Sequence, residues 1–329
     1  MYALSYLFHR IFPAKLAVMP SQPRRHSVSK LRHACNLALV TAFPAAFVLW
    51  HFPYATDDPV RREDAVREFF DIAFSEPSAV RKGDEFTLRS ASMRKQVYVQ
   101  DRVRDFVERY HLRDAAVLDV GSGLGYLQDA VANYTGLDIS AAVAKHYHKQ
   151  FVHGTATAMP FADNTFDAAW SIWVLEHIPN PEAALSEIRR VVKPGGLLYL
   201  QPAWDCKSWA AQGYEVRPYS DFGIGGKLIK ASIPLRQSEA FWVASAVPNR
   251  LLRATFAGSG PIRLHYRRIE PNFTDYWQAD SDAVNDLDEA EVAMWFESRG
   301  DTCLNCLPDG WRYLQRWSPL VIRINKGHV

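Results

Sequence analysis

The chain is poor in cysteine. Its 329 residues hold four, Cys35, Cys206, Cys303 and Cys306. That number and spacing make no disulfide framework of the kind that staples small secreted domains. Cys303 and Cys306 form one CxxC pair. A structural zinc site takes about four ligands, and no second pair exists to supply them; the two read as cysteines of a late strand. An excess of charge is also missing. Lys plus Arg number 38 and Asp plus Glu 36, so overall charge implies no nucleic-acid partner. No internal repeat or low-complexity tract interrupts the chain. Apolar residues, at 48%, suffice for a real core in one large domain or two modest ones.

Charge is absent altogether from CNLALVTAFPAAFVLWHFPYAT, residues 35–56. A helix of about 20 apolar residues crosses a bilayer. Membrane helices tolerate a proline such as Pro44, and Trp50 and Tyr54 suit the interface at one end. The segment reads equally as a buried or surface-lying helix of a soluble protein. The run before it, MYALSYLFHRIFPAKLAVMP, is broken by Arg10 and Lys15 and does not span. A cleaved signal peptide is disfavoured, because the apolar run lies far into the chain and no small-residue cleavage site follows. Residues 1–57 thus form a basic and apolar extension with a possible membrane anchor. Arg24, Arg25, Lys30 and Arg32 before the run outnumber Arg61, Arg62 and Arg67 after it by one, a bias too small to fix orientation.

Beyond residue 57 the apolar period becomes helical. VREFFDIAF and MRKQVYVQDRVRDFVERYHL predict amphipathic helices, the second placed to cover one side of a cleft. From 114 to 202 strand and helix signals alternate. AVLDVG is a buried strand, YLQDAVAN a short helix, and YTGLDIS a strand ending in Asp138. FDAAWSIW is a strand, PEAALSEIRRVV a helix ended by Gly195 and Gly196, and LLYLQPA a further strand. Such alternation predicts a parallel sheet with helices on both faces and ligands at the carboxyl ends of its strands. The tail reads as a helix, EAEVAMWFESRG, a strand around DTCLNCL and a final strand, PLVIRINK. VLDVGSGLGY sets Gly121, Gly123 and Gly125 directly after a buried strand. Glycine there lets a ligand lie against the main chain, and a strand-to-helix turn points N–H groups into a crevice.

VLDVGSGLGY, GLDIS, GTATAMPFADNTFD and WVLEHIPNPEAALSEIRRVVKPGGLLYL, in that order, resemble the class I S-adenosylmethionine-dependent methyltransferases, in the branch that acts on small molecules and lipids. The resemblance implies an α/β, Rossmann-like, mostly parallel seven-stranded sheet with helices on both faces. It implies a methyltransferase domain over residues 58–329, with 204–275 as an inserted substrate cap and an apolar helix N-terminal to the domain. It implies S-adenosylmethionine as cofactor, bound by Asp119, Gly121, Ser122, Gly123, Gly125, Asp138, Ile139, Thr155, Ala156, Met159 and Ser171. In that arrangement Asp138 holds the two ribose hydroxyls and Asp119 sits under the methionine amino group. Ala156 and Met159 wall the adenine, and Ser171 and Trp173 face the sulfonium and the acceptor. Many relatives have Asp where this chain has Thr155, which offers adenine a weaker oxygen. His177, within Glu176-His177-Ile178-Pro179, is the candidate base for an acceptor that must lose a proton; the alternative is a histidine that orients its loop or caps a helix. Two other readings stand beside this one. An NAD(P)-dependent oxidoreductase carries GxGxxG, whereas here Gly125 follows Gly123 by two positions and Tyr126 comes next. The other is a non-catalytic S-adenosylmethionine-binding protein.

The insertion bears on the acceptor. Lys227, Lys230, Arg236, Arg250, Arg253, Arg263, Arg267 and Arg268 share their stretch with one acid, Glu239, and with Phe241, Trp242, Phe256 and Tyr266. Beside a cleft, this pattern suits an anionic lipid-linked or phosphorylated sugar, or an acidic membrane surface; it equally suits a solvated helical face. Asp275, Asp280, Asp282, Asp286 and Asp288 follow with the spacing of a calcium loop, but without the glycine at its bend. Asp280 and Asp282 are placed to bond sugar hydroxyls instead. The expected reaction is O-methylation of a small-molecule, glycan or lipid-linked acceptor, with quinones and other lipids second, and with neither metal nor nucleic acid. Since S-adenosylmethionine is cytosolic, the chain is expected on a membrane with its catalytic domain in the cytoplasm, or else soluble there.

Overall fold

Strand β1 (Ala116–Val120) exposes no side chain, and the sheet is built around it. In this computed structural model the described residues are 59–75, 93–258, 260–272, 281–308, 310–316 and 318–326. The expected anchor at 35–56, the rest of the extension through residue 57, Asp275 and Asp280 lie outside them. Among the described residues no helix is long and apolar enough to cross a membrane.

Strands β2 (Asn133–Asp138) and β4 (Phe166–Ile172) flank β1 in parallel register. Strands β3 (Gln150–His153) and β5 (Val192–Gln201) extend the two sides. Strands β6 (Arg267–Arg268) and β7 (Asn285–Asp286) form a separate antiparallel pair; in the main sheet β9 (Leu320–Arg323) runs antiparallel to β5 and β8 (Thr302–Cys303) antiparallel to β9, completing the order β3-β2-β1-β4-β5-β9-β8. The expected mostly parallel seven-stranded sheet is therefore present.

Helices cover both faces because side chains alternate along each strand. On one face Val117, Trp170 and Tyr199 pack with Val103, Phe106 and Val107 of α2 (Met93–Arg109). On the other, Leu118, Val120, Leu198 and Leu200 pack with Leu185 and Ile188 of α3 (Pro181–Val191) and with Trp295 and Phe296 of α6 (Glu289–Glu297). Helix α3 starts where its sequence demands: Asn180 Oδ1 accepts the Ala183 N–H at 3.2 Å and Pro181 occupies the first turn. Helix α1 (Pro59–Phe74) precedes the sheet. Helices α4 (Ile224–Arg236) and α5 (Glu239–Phe256) form the insertion after β5.

Several expectations are corrected. YLQDAVAN is a run of turns, with Gln128 N–H on Gly125 O and Ala130 N–H on Leu127 O. The segment must return the chain along β1, roughly 17 Å for five residues, and an eight-residue α-helix covers only about 12 Å. Strand β3 had no distinct sequence signal. Helix α3 stops at Val191, ahead of the glycine pair. Val192 already pairs with Phe166, and the register then slips, so Gly195 and Gly196 lie in an irregularity of β5. Cys303 and Cys306 are joined by a disulfide, because β8 ends at Cys303 and the chain turns back at once.

The basic residues of the insertion are largely internal fasteners. Arg250, buried, holds Asp288 at 2.8 Å and donates to the carbonyls of Tyr313 and Gln315. Arg253 pairs with Glu291 at 2.8 Å, and Arg267 with Asp286. Buried Arg236 lies 4.2 Å from the Trp209 ring centroid and donates to Ser208 Oγ. The acids missing from the insertion are supplied by the chain that follows it, so Asp286 and Asp288 serve as counter-ions here.

Candidate functional site

A cavity of about 360 Å³ opens at the carboxyl ends of β1, β2 and β4. Its floor is the glycine turn after β1. The Gly121 and Ser122 N–H groups donate to Leu137 O at 2.8 and 3.0 Å, which ties the turn to β2. Gly121 has φ +72°, and a Cβ there would lie 2.3 Å from Val174 Cγ1. Gly123, at φ +50°, would meet nothing within 4 Å; its bare face opens onto the cavity. Asp138, buried at the end of β2, accepts the Gly123 N–H on Oδ2 at 2.8 Å and the Ser140 N–H on Oδ1 at 2.9 Å. A carboxylate offers about four acceptor positions, so each oxygen keeps capacity for a ligand hydroxyl. The Tyr134 hydroxyl donates to Asp119 Oδ2 at 2.8 Å. Burial pushes the Asp119 carboxyl up to about 7, against the pull of that hydrogen bond. Burial also raises Asp138, opposed by its two backbone N–H bonds.

The opposite wall comes from α1 and α2. Glu63, Val66, Phe70 and Phe74 recur at helical spacing along one face of α1, and Val99 and Gln100 join them from α2. Glu63 Oε1 accepts the Thr155 hydroxyl at 2.7 Å, bridging α1 to the loop after β3. A short turn after β4 carries His177. Its Nε2 lies 3.8 Å from Glu176 Oε1, and its Nδ1 lies 3.3 Å from the Asp282 carbonyl and 4.0 Å from Asp282 Oδ2. The Phe70 ring meets the imidazole edge-on, centroids 5.5 Å apart. Buried Asn285 fixes the turn through Nδ2, donating to Leu175 O at 2.9 Å and Ile178 O at 2.6 Å.

Of the residues expected from sequence, Asp119, Gly121, Ser122, Gly123, Asp138, Ile139, Thr155, Ala156, Trp173 and His177 line this one cavity. Three do not. A Cβ on Gly125 would come within 3.0 Å of the Tyr147 ring, so that glycine makes room for a side chain of the fold. Met159 is buried in the core, its N–H on Glu187 Oε2. Ser171 is buried inside β4, and Ile172 and Trp173 reach the cavity in its place. Trp173 turns out of the strand with φ 55°, its N–H on Gln201 O. Asp282, expected from sequence to bond a sugar acceptor, also lines the cavity, whereas Glu63, Val66, Phe70, Phe74 and Glu176 were not anticipated as site residues. The stripe on α1 was legible as a helix face, but what it faces was not. Among the described residues, none from the expected cap at 204–275 lines the cavity.

Residues 118–200 match the family described as a methyltransferase domain. This segment is a class I S-adenosylmethionine-dependent methyltransferase domain. A sterol 24-C-methyltransferase of Gibberella zeae is 36% identical over 97 residues, covering 25% of this chain and 26% of its own. A demethylmenaquinone methyltransferase of Renibacterium salmoninarum is 41% identical over 91 residues, 25% of this chain and 38% of its own. A fatty-acid O-methyltransferase of Mycolicibacterium smegmatis is 30% identical over 181 residues, 49% of this chain and 65% of its own. The chain thus spans less than two thirds of the length of these relatives.

The cofactor implied by a methyltransferase domain of this class is S-adenosylmethionine, and the cavity fits it. Its carboxyl and imidazole lining is Glu63, Asp119, Asp138, Glu176, Asp282 and His177, with neither Lys nor Arg among the described lining residues. Burial disfavours the charged forms of Asp119 and Asp138, and a cation beside them offsets that cost; S-adenosylmethionine carries a sulfonium and an ammonium. A dinucleotide brings a pyrophosphate instead, which such a lining repels. The lining therefore suits a cationic cofactor better than an anionic dinucleotide.

Proposed function

We propose that this chain transfers a methyl group from S-adenosylmethionine to a hydroxyl of an apolar, lipid-type acceptor. The observation that carries this reading is the polarity of this cavity: carboxylates and bare backbone on its floor, Val66, Phe70 and Phe74 on the wall above. An apolar wall draws apolar surface out of water and offers a glycan few partners. The names of the three relatives, for a sterol, demethylmenaquinone and a fatty acid, support a lipid over the expected glycan. They differ in the atom methylated, so oxygen rests on His177.

When bound, S-adenosylmethionine supplies a methyl group already activated on sulfur. Asp138 would bond the ribose hydroxyls and Asp119 the ammonium. Phe70 and Phe74 would exclude water and align the acceptor, and alignment supplies most of the rate in a displacement of this kind. The Asp282 carbonyl can only accept, so a neutral His177 keeps its proton on Nδ1 and presents the Nε2 lone pair. The acceptor hydroxyl proton would pass to Nε2, and Glu176 and Asp282 would stabilise the imidazolium.

The test is incubation of the full chain with methyl-labelled S-adenosylmethionine and separate panels of hydroxylated lipids, quinols and glycans. Label is expected in the lipid panel, with S-adenosylhomocysteine formed in equal amount. Label confined to glycans would refute the acceptor class, and cofactor binding without product would leave a silent binder. Residues 58–329 are placed in the cytosol with 35–56 attaching them to a membrane, because the donor is cytosolic. Sedimentation of the full chain with membranes in high salt is expected; recovery wholly in the soluble fraction would remove the anchor.

A further inference from the structure

We propose that Glu63, on α1, is a specificity residue for the cofactor's base: its carboxylate accepts the exocyclic amino group of adenine, a role that rests on S-adenosylmethionine as cofactor and not on the identity of the acceptor. The order of the strands sets the order of the cavity. Asp138 ends β2, and the glycine turn follows β1 beside it. A cofactor with its ribose on Asp138 and its methionine end on that turn extends its base away from β1, toward β3, the next strand of the sheet. The backbone there is fixed. Asp138 pairs with His153 of β3, and the Gly154 N–H donates to Asp138 O at 2.9 Å. Thr155 comes next in the chain, and it is the residue that Glu63 holds. His177 follows β4, on the other side of β1. With neighbouring strands about 4.8 Å apart, β3 and β4 are separated by roughly 14 Å, so Glu63 and His177 serve opposite ends of one cavity.

Two hydroxyls orient the carboxylate. An ionised carboxyl can only accept, so Thr155 gives its proton to Glu63 Oε1 at 2.7 Å. The Thr157 hydroxyl, 2.8 Å from that of Thr155, gives its own proton to Thr155. Arg67 approaches Oε1 as well, at 3.9 Å. Among the described residues, Oε2 meets only the Thr157 hydroxyl, at 3.5 Å, the outer limit of a hydrogen bond. Glu63 therefore has one oxygen strapped and the other with capacity for a donor. Ile139, Gly154 and Ala156, which line the same end, have no side chain that accepts a hydrogen bond. Adenine brings a donor at its amino group. A hypoxanthine has a carbonyl oxygen at that position, which a carboxylate repels, so the contact selects between the two bases. Phe70 follows Glu63 by seven residues, about two turns along the same face of α1; the helix that meets the base also sets an aromatic ring beside His177.

The experiment is titration calorimetry on the full chain with S-adenosylhomocysteine and with S-inosylhomocysteine, which differs by a carbonyl in place of the amino group. The parent is expected to bind the adenine ligand at least about 10-fold more tightly. In Glu63→Gln, Thr155 can still donate to the amide oxygen, which turns the amide NH₂ toward the ligand. The preference should then shrink to within about threefold or reverse. Thr155→Val removes the strap and keeps the acid, so it should weaken both ligands while adenine stays the preferred base. A Glu63 that only fastens α1 to the loop after β3 behaves differently. Gln would weaken both ligands by one factor and leave the preference unchanged, which overturns the proposal. Equal affinity of the parent for the two ligands overturns it as well, with the cofactor reading intact. Binding of neither ligand by the parent would overturn both.

Discussion

Asp138 Oδ2 accepts the Gly123 backbone N–H at 2.8 Å, so the end of β2 and the glycine turn after β1 are locked to each other by the residue that is to hold the cofactor. Asp138→Ala should therefore remove the ribose contacts and loosen the turn together. Charge-assisted hydrogen bonds are each worth about 1.5–3 kcal/mol, so the expected loss of S-adenosylmethionine affinity is about 100-fold by titration calorimetry. Circular dichroism should show the fold retained. Affinity within about threefold of the parent would remove Asp138 from the cofactor site.

Asp119 gives a prediction about pH. Burial raises its carboxyl from 3.8 to about 7, so the folded chain holds a proton there that the unfolded chain has released. Stability from this group is therefore greatest in acid, falls as pH rises from about 4 to about 7, and does not recover above that. A shift of this size corresponds to at most about 4 kcal/mol. Asp119→Asn should flatten the fall in melting temperature between about pH 5 and pH 8. Binding of a cation reverses the preference, so cofactor titrations near pH 6.5, about the middle of that range, should release a proton in the parent and not in the variant. Equal proton release in both would assign the titration to another group.

His177→Gln keeps a polar side chain beside Asp282 but has no base. Product formation on a hydroxyl acceptor should fall by about 10²–10⁴-fold, while the dissociation constant for S-adenosylmethionine stays unchanged. An unaltered turnover rate would make His177 a loop-orienting residue and weaken the case for an oxygen acceptor.

Phe70 sits edge-on to His177 and lines the same cavity. Phe70→Leu should raise KM for a lipid acceptor several-fold and leave cofactor affinity alone. Titration and steady-state kinetics separate the two. A change confined to cofactor binding would move α1 from the acceptor wall to the cofactor wall.

Arg250→Met removes a buried cation that joins α5 to Asp288 and to the carbonyls of Tyr313 and Gln315. Breaking one side of such a pair costs about 3–5 kcal/mol when both partners are buried. Asp288 is partly exposed, so a value at or below the lower end is expected. The urea midpoint should fall without any change in cofactor titration, since Arg250 does not line the cavity.

The sequence by itself determined the sheet and most of its floor. A run such as Val117–Val120, buried throughout, forms only a central parallel strand, and the spacing of Gly121, Gly123 and Asp138 places each at a strand end by counting alone. Tertiary structure decided the walls. Phe70 is separated from His177 by more than a hundred residues, and nothing local in VREFFDIAF says which surface its apolar stripe meets. The same limit governs the insertion. Arg250 and Arg253 read as a basic patch because Asp288 and Glu291 lie far along the chain, and only folding brings the counter-charges within 3 Å. Ser171 and Met159 are buried off the cavity for a related reason: sequence gives the strand or loop, whereas which side chains turn inward depends on what packs against them. Period and turn chemistry are properties of neighbours in sequence; a cavity is a property of neighbours in space.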